Sequence, residues 1–193
     1  VRHASVDQLA NNAEVKALIA ILGLDFDKEY DTVEERAELR YGKIMVMTDQ
    51  DTDGSHIKGL VINFFRHFWP KLLKPTVDEP LCEPFMASFF TPLIKVTKKK
   101  EKHSFYSMAD YNAWRTSHAN PEEIKQWKIK YYKGLGTSTP AEAKEYFSDF
   151  DKHHRPFHWN SELDGELLDK VFDKERAADR RDWISDEYDP ESA

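Results

Sequence analysis

The sequence has little of several things, and each shortage narrows what it can be. It holds a single cysteine, Cys82, so no disulfide can form within the chain, and a reducing compartment fits. A lone thiol of this kind reads as a bystander rather than a nucleophile. No run of about 18 apolar residues exists to span a bilayer. The amino terminus has no basic segment followed by an apolar one, so no secretory signal is read. There is no internal repeat and no low-complexity tract. Net positive charge is also missing: the formal charge is -7. A surface that is a nucleic-acid glove throughout is excluded, because phosphate binding needs Lys and Arg to displace counterions. Any such contact must come from local patches, and two exist. One is Lys98, Lys99, Lys100 and Lys102; the other is Arg176, Arg180 and Arg181. Each taken alone is as readily a solvated face.

What is present suits a globular α/β chain. At 193 residues with 13% aromatics, core material is ample for one ordinary domain with an extension, or for two small ones. Ser5 and Gln8 form a capping box, and Leu9, Ala13, Ala17, Leu18, Ile21 and Leu22 recur at helical spacing until Gly23, which predicts one helix over 6–22. A short helix is expected over 33–39. Ile44 to Met47 is a continuous apolar run of strand length, the signature of a parallel strand buried on both faces. Beyond Gly54, the residues Ile57, Leu60, Val61, Phe64, Phe68, Trp69 and Leu72 describe one face of a long helix. Asp49 to Gly54 is therefore a strand-to-helix turn at the carboxyl end of a central strand, where open α/β sheets bind ligands.

Five prolines between Pro70 and Pro92 predict a loop. Residues 92–97 and 104–107 are strand candidates around a lysine-rich hairpin tip, and a short helix over 109–116 follows. Gln126 to Tyr132 alternates as a strand does. Thr139, Pro140 and Glu142 form another capping box, opening a helix expected to bury Ala143, Tyr146, Phe147 and Phe150. After about residue 155 the composition turns to Arg, His, Asp and Glu. There Leu167, Val171, Phe172 and Trp183 suggest docking helices.

Two motifs carry chemistry. In an extended segment residues i, i+2 and i+4 project to one side at about 6.6 to 6.8 Å per step, so Asp49, Asp51 and Asp53 can converge. Like charges held together need a cation, and magnesium takes one or two carboxylates plus waters and phosphate oxygens. Gly54 allows the positive φ or close approach that a sharp turn requires. An EF-hand loop also begins Asp-x-Asp-x-Asp-Gly, but its twelfth position should be Glu and here is Leu60. Three other readings stay open: a phosphotransferase with Asp49 as nucleophile, a noncatalytic metal or DNA-binding module, and plain capping of the following helix. The second motif, Tyr131 to Thr139, lacks the third glycine of a dinucleotide fingerprint and the ending of a P-loop. Its Lys133, flexible backbone and following helix suit a phosphate cradle, or simply a tight turn.

The combination Lys43-Ile-Met-Val-Met-Thr-Asp49-Gln-Asp51-Thr-Asp53-Gly54-Ser-His-Ile-Lys-Gly59, Thr91-Pro-Leu-Ile-Lys95 and Tyr132-Lys-Gly-Leu-Gly-Thr-Ser138 resembles the Toprim domain of eukaryotic type II DNA topoisomerases across nearly the whole chain. Gln50, Lys58-Gly59 and Thr137-Ser138 look eukaryotic. The resemblance implies a Toprim-like α/β fold with a mainly parallel central sheet flanked by helices, its opening strand missing, and a helical C-terminal extension. It also implies a Toprim domain over 1–155 and a connector over 156–193 toward a winged-helix domain.

In function it implies the magnesium-binding part of the cleavage and religation core of an ATP-dependent enzyme that passes one duplex through another via a phosphotyrosyl link. Carried over by position, Asp49 and Asp51 match the magnesium-binding aspartates and Asp53 a third, supporting acid. Two magnesium ions are expected, with Mn2+ or Ca2+ as substitutes. Lys133 matches the family loop and is expected to act at the active site and on DNA phosphate. Arg180 and Arg181 match a basic pair that touches the DNA backbone. Double-stranded DNA is the implied partner, a homodimer the assembly, and the nucleus the location, with a mitochondrial address still open. No membrane is involved. The family's first ligand, a Glu in a Glu-Gly-Asp-Ser motif, has no counterpart in this sequence, and none of its tyrosines matches the cleaving one. ATP would bind a different domain. The chain alone is therefore expected to be inactive. The proline-rich stretch around Thr76 to Ser88 is longer than the family usually carries.

Overall fold

The computed structural model describes residues 6–79, 82–118, 120–132 and 135–187, which fall into two compact units. The first comprises residues 1–46, 58–88 and 156–184. It opens with α1 (Val6–Asn11) and α2 (Ala13–Leu22). The single helix expected over 6–22 is therefore broken, because the Asn12 side chain accepts the Val15 N–H at 2.9 Å and starts a new helix. Ser5 of the expected capping box lies outside the described residues. The predicted stop is real: Gly23 adopts φ 73°, and the Gly23 and Leu24 N–H groups both return to the Ile19 carbonyl.

Next come α3 (Val33–Ala37), β1 (Ile44–Val46), α4 (Thr52–Phe68), a 3-10 turn over Pro70–Leu73 and β2 (Met86–Phe89). β1 and β2 are parallel, with Ile44, Met45 and Val46 beside Met86, Ala87 and Ser88. The sheet runs β1-β2-β6, with β6 at His154–Pro156. Two expectations change here. β1 is a half-buried edge strand of this sheet rather than a central one buried on both faces. The central strand is β2, every residue of it buried, inside the stretch expected to be a loop. Its prolines, Pro84 and Pro92, flank the strand and leave its ladder donors intact.

The core gathers Leu22, Leu24, Tyr30, Phe64, Phe65, Trp69 and Leu72, among others. The Trp69 indole N–H donates to the Asp25 carbonyl at 2.7 Å, and Phe26 stacks on its ring with centroids 4.9 Å apart. α4 thus buries Phe64 and Phe65, while Ile57 and Leu60, expected on its core face, stay exposed. α9 (Glu162–Phe172), a 3-10 turn over Lys174–Arg176 and α10 (Ala177–Glu187) follow β6 in the chain. Gly59 lets α4 and α9 meet, since a Cβ there would lie 2.7 Å from the Phe172 ring.

The second unit comprises residues 47–57, 89–155 and 185–193. Its sheet is β4-β3-β5, formed by β3 (Ile94–Lys98), β4 (Glu101–Phe105) and β5 (Lys128–Tyr131), and both pairings are antiparallel. The mainly parallel sheet expected from the sequence is thus limited, in the pairings described, to β1 and β2. The hairpin is present, but residues 101–103, expected in its tip, belong to β4, which leaves Lys99 and Lys100 as the turn, with Lys99 in the left-handed region at φ 55°. α5 (Met108–Ser117) covers one face of this sheet around Ile94, Val96, Phe105, Tyr111 and Trp127. α6 (Pro121–Ile124), α7 (Pro140–Ser148) and α8 (Phe150–His153) complete the unit. Phe147 and Phe150, expected in the core, are 50% and 40% exposed, although Phe147 stacks on the buried Phe89.

Candidate metal centre and the glycine-rich loop

The loop between β1 and α4 is shaped by three short-range devices. Thr48, buried, donates its hydroxyl to the Gly54 carbonyl at 3.1 Å, closing the loop on itself. The Gln50 side-chain amide donates to the carbonyls of Thr48 and Phe89, each at 3.2 Å, tying the loop to the last residue of β2. Asp51 is the N-cap of α4: one oxygen of its carboxylate accepts the Gly54 N–H at 2.8 Å, and its carbonyl accepts from Ser55 at 3.0 Å. The absent side chain of Gly54 serves close approach rather than positive φ, since a Cβ there would fall 1.9 Å from the Asp49 carbonyl oxygen.

The capping role of Asp51 alters the geometry expected for the aspartates. An extended i, i+2, i+4 alignment of Asp49, Asp51 and Asp53 ends at Asp51, because Asp53 already sits in the first turn of α4. Among the described residues no three carboxylate, imidazole or thiol groups are gathered as a metal cage. The donors that remain are the half-buried Asp49 and the exposed Asp51 and Asp53, all hard oxygens at the amino end of a 17-residue helix. That set suits a cation taking one or two protein carboxylates and filling its other positions with water or phosphate oxygens, as magnesium does. It does not suit an all-protein calcium cage. Thr48 and Gln50 were not singled out as loop-forming residues from the sequence; the only signal was their place beside the acidic cluster.

Lys133 and Gly134 of the glycine-rich motif lie outside the described residues. The two flanks of that motif are held by Glu142. The predicted capping box is present: the Glu142 N–H donates to Thr139 Oγ1 at 3.3 Å, and its carboxylate accepts the Thr139 N–H at 2.7 Å. The same carboxylate accepts from Lys130 Nζ at 2.8 and 3.0 Å and from the Tyr132 phenol. Burial raises the Glu142 carboxyl, but the donors from Lys130, Thr139 and Tyr132 outweigh it and hold the group at about 2. Burial, reinforced by the bond to Glu142, pushes the Tyr132 phenol far up.

A carboxyl lowered in the folded state contributes fully above its ordinary value of 4.5 and loses that contribution as the pH falls toward 2. Glu142→Gln should lose on the order of 2 kcal/mol at neutral pH. Denaturant melts of both proteins should converge between pH 4.5 and 2; a gap that persists at pH 2 contradicts the clamp.

The basic pair near the carboxyl end divides. Arg180 Nη1 donates to the Lys170 and Asp173 carbonyls, both at 2.8 Å, so it caps the end of α9. Arg181 is exposed, and Arg176 pairs with Asp179 at 2.8 Å. No described helix is long and apolar enough to cross a membrane.

With this geometry in place, comparison with known families gives the class. Residues 4–84 match the family described as Toprim domain, and residues 89–192 match the C-terminal associated domain of Toprim. The chain belongs to the Toprim family, in the form found in eukaryotic type II DNA topoisomerases. It is 50% identical over 185 residues to DNA topoisomerase 2 top-2 of Caenorhabditis elegans and 47% identical over the same length to DNA topoisomerase 2-beta of Homo sapiens. Each alignment covers 96% of this chain but 11% of the relative, so the chain spans about a tenth of the length of these proteins. Among solved structures, it resembles the DNA-binding, cleavage and re-ligation domain of Plasmodium falciparum topoisomerase II, with a TM-score of 0.82 and 42% identity. That match covers 100% of this chain and 25% of the other.

Proposed function

We propose that this chain supplies the magnesium-binding part of the DNA cleavage and religation core of an ATP-dependent type II topoisomerase. The reading is carried by the Thr48–Gly54 loop, which places oxygen-only donors beside a helix amino terminus in a Toprim chain. Asp49 and Asp51 would hold the metal, with Asp53 as the supporting acid; two magnesium ions are proposed, replaceable by Mn2+ or Ca2+. Bound there, such ions neutralise charge on the scissile phosphate and stabilise the leaving sugar oxygen. The chain's own contribution is to fix the donors: Thr48, Gln50 and Gly54 set the loop, and the Asp51 cap fixes its orientation on α4. Lys133, between flanks clamped by Glu142, is proposed to contact a DNA phosphate. Arg181 and the remaining face of Arg180 are proposed to touch the duplex backbone, which positions DNA without reading its sequence.

Double-stranded DNA as substrate, a homodimeric assembly, nuclear location, an ATP site in another domain, and residues 156–193 as the link toward a winged-helix domain complete the proposal. Two names from the comparisons support it: DNA topoisomerase 2 and topoisomerase II cleavage domain. The test is magnesium-dependent cleavage of supercoiled DNA by the intact protein carrying Asp49→Asn or Asp51→Asn. Loss of cleavage in both is expected; full cleavage in both contradicts the reading.

A further inference from the structure

The β4-β3-β5 sheet has a second face that the aspartate loop does not account for. Its register separates the side chains cleanly. Ile94, Val96, Phe105 and Ile129 point toward α5 and form the small core. The opposite face carries Lys95, Thr97, Lys102, Ser104, Lys128 and Lys130: four lysines, two hydroxyls and no acid. Residues 94–105 and 125–131 together contain eight lysines and one glutamate, in a chain whose net charge is -7.

Charges on this face are unevenly neutralised. Lys95 and Lys130 stand directly opposite each other across the strands, an unfavourable like-charge pair. α7 relieves it, with Glu145 3.3 Å from Lys95 and Glu142 2.8 Å from Lys130. Toward the hairpin tip no such relief exists among the described ion pairs. There Lys102 and Lys128 flank Thr97, so the three side chains form one row across the sheet, about 10 Å wide at the usual strand spacing. Lys100 continues it at the tip, and Lys100, Lys102 and Lys128 are all exposed. Flexible ammonium groups with a hydroxyl between them, in a row that itself carries no acid, match a line of phosphates better than a carboxylate-bearing protein surface, where donors and acceptors must alternate.

We infer that this lysine-lined face binds the phosphate backbone of duplex DNA, independently of sequence and of metal. It is built from residues other than those of the aspartate loop and the Arg180–Arg181 pair. The inference takes DNA as partner from the proposed function, but it needs no part of the metal site.

The test is binding of a labelled 30-base-pair duplex to the 193-residue chain in EDTA, across a salt series. Lys100→Ala, Lys102→Ala and Lys128→Ala combined should weaken binding by about tenfold or more at low salt, and should lower the slope of log affinity against log salt by about 2 to 3. The same charge change made elsewhere, at the exposed Lys16, Lys152 and Lys174, should leave both nearly as in the parent. All six sites are exposed, and matching melting curves would exclude unfolding as the cause. An unchanged slope in the first triple variant overturns the inference, as does equal loss in the second, or binding that polyglutamate competes for as well as DNA does. Asp49→Asn distinguishes this from the metal reading. If cleavage by the intact Asp49→Asn protein is normal while the lysine effect persists, only the metal reading fails.

Discussion

Asp51→Asn should separate folding from chemistry. Asparagine is as good an N-cap as aspartate, and its side-chain oxygen can still accept the Gly54 N–H that now lies 2.8 Å away. Only the charge is removed, which costs about 0.3 to 1 kcal/mol through the helix dipole. Melting temperature is therefore expected to move by a few degrees at most. Magnesium-dependent cleavage by the intact protein should fall by about 100-fold to 1000-fold, because a direct ligand and its neutralising partner are lost together. Asp51→Ala is the informative contrast. It loses the cap as well, adding about 1 kcal/mol of destabilisation to the same catalytic loss. A cleavage rate that tracked melting temperature across the two variants would reduce Asp51 to a capping residue.

Gly54→Ala is the second large effect, and here folding should suffer first. The added methyl would lie 1.9 Å from the Asp49 carbonyl oxygen and 2.8 Å from its carbon, contacts with backbone that no rotamer change relieves. Either the loop or the first turn of α4 must move. A loss of about 3 kcal/mol or more is expected, a drop of roughly 6 to 12 °C for a chain this size. Gly136→Ala is the matched control, since an added Cβ there meets nothing within 4 Å. Its melting temperature should stay level or rise slightly, as the unfolded chain loses freedom. Equal behaviour of the two glycines, read by thermal melts, would contradict the close approach drawn for the loop.

Much of this architecture was legible where local chemistry decides structure. The left-handed stop at Gly23, the lysine-tipped hairpin and the Thr139–Glu142 capping box all follow from short-range hydrogen bonds written in neighbouring residues. Harder to see was anything set by distant packing. β2 hides among prolines, and Met86 to Phe89 reads as loop until Pro84 and Pro92 are seen to flank it. The break at Asn12 competes with an unbroken apolar period, and there side-chain capping wins over pattern.

The site shows the same division. The acidic cluster and its strand-to-helix setting were plain, and the family match agrees with the motifs that first suggested it. Its geometry was not, because an extended alignment of three aspartates and a helix beginning after Asp51 are equally compatible with the spacing. Nor could the sequence indicate that Arg180 spends a guanidinium nitrogen on the end of α9, or that Glu142 holds both flanks of the glycine-rich loop.

The central claim, that the Thr48–Gly54 loop is where metal binds, is tested most directly by titrating Mn2+ into the isotopically labelled chain and following paramagnetic broadening of its amide resonances. Asp49 to Gly54 should broaden first, and the effect should vanish in the Asp49→Asn, Asp51→Asn double variant. Broadening that begins elsewhere, or that survives in the double variant, would contradict it.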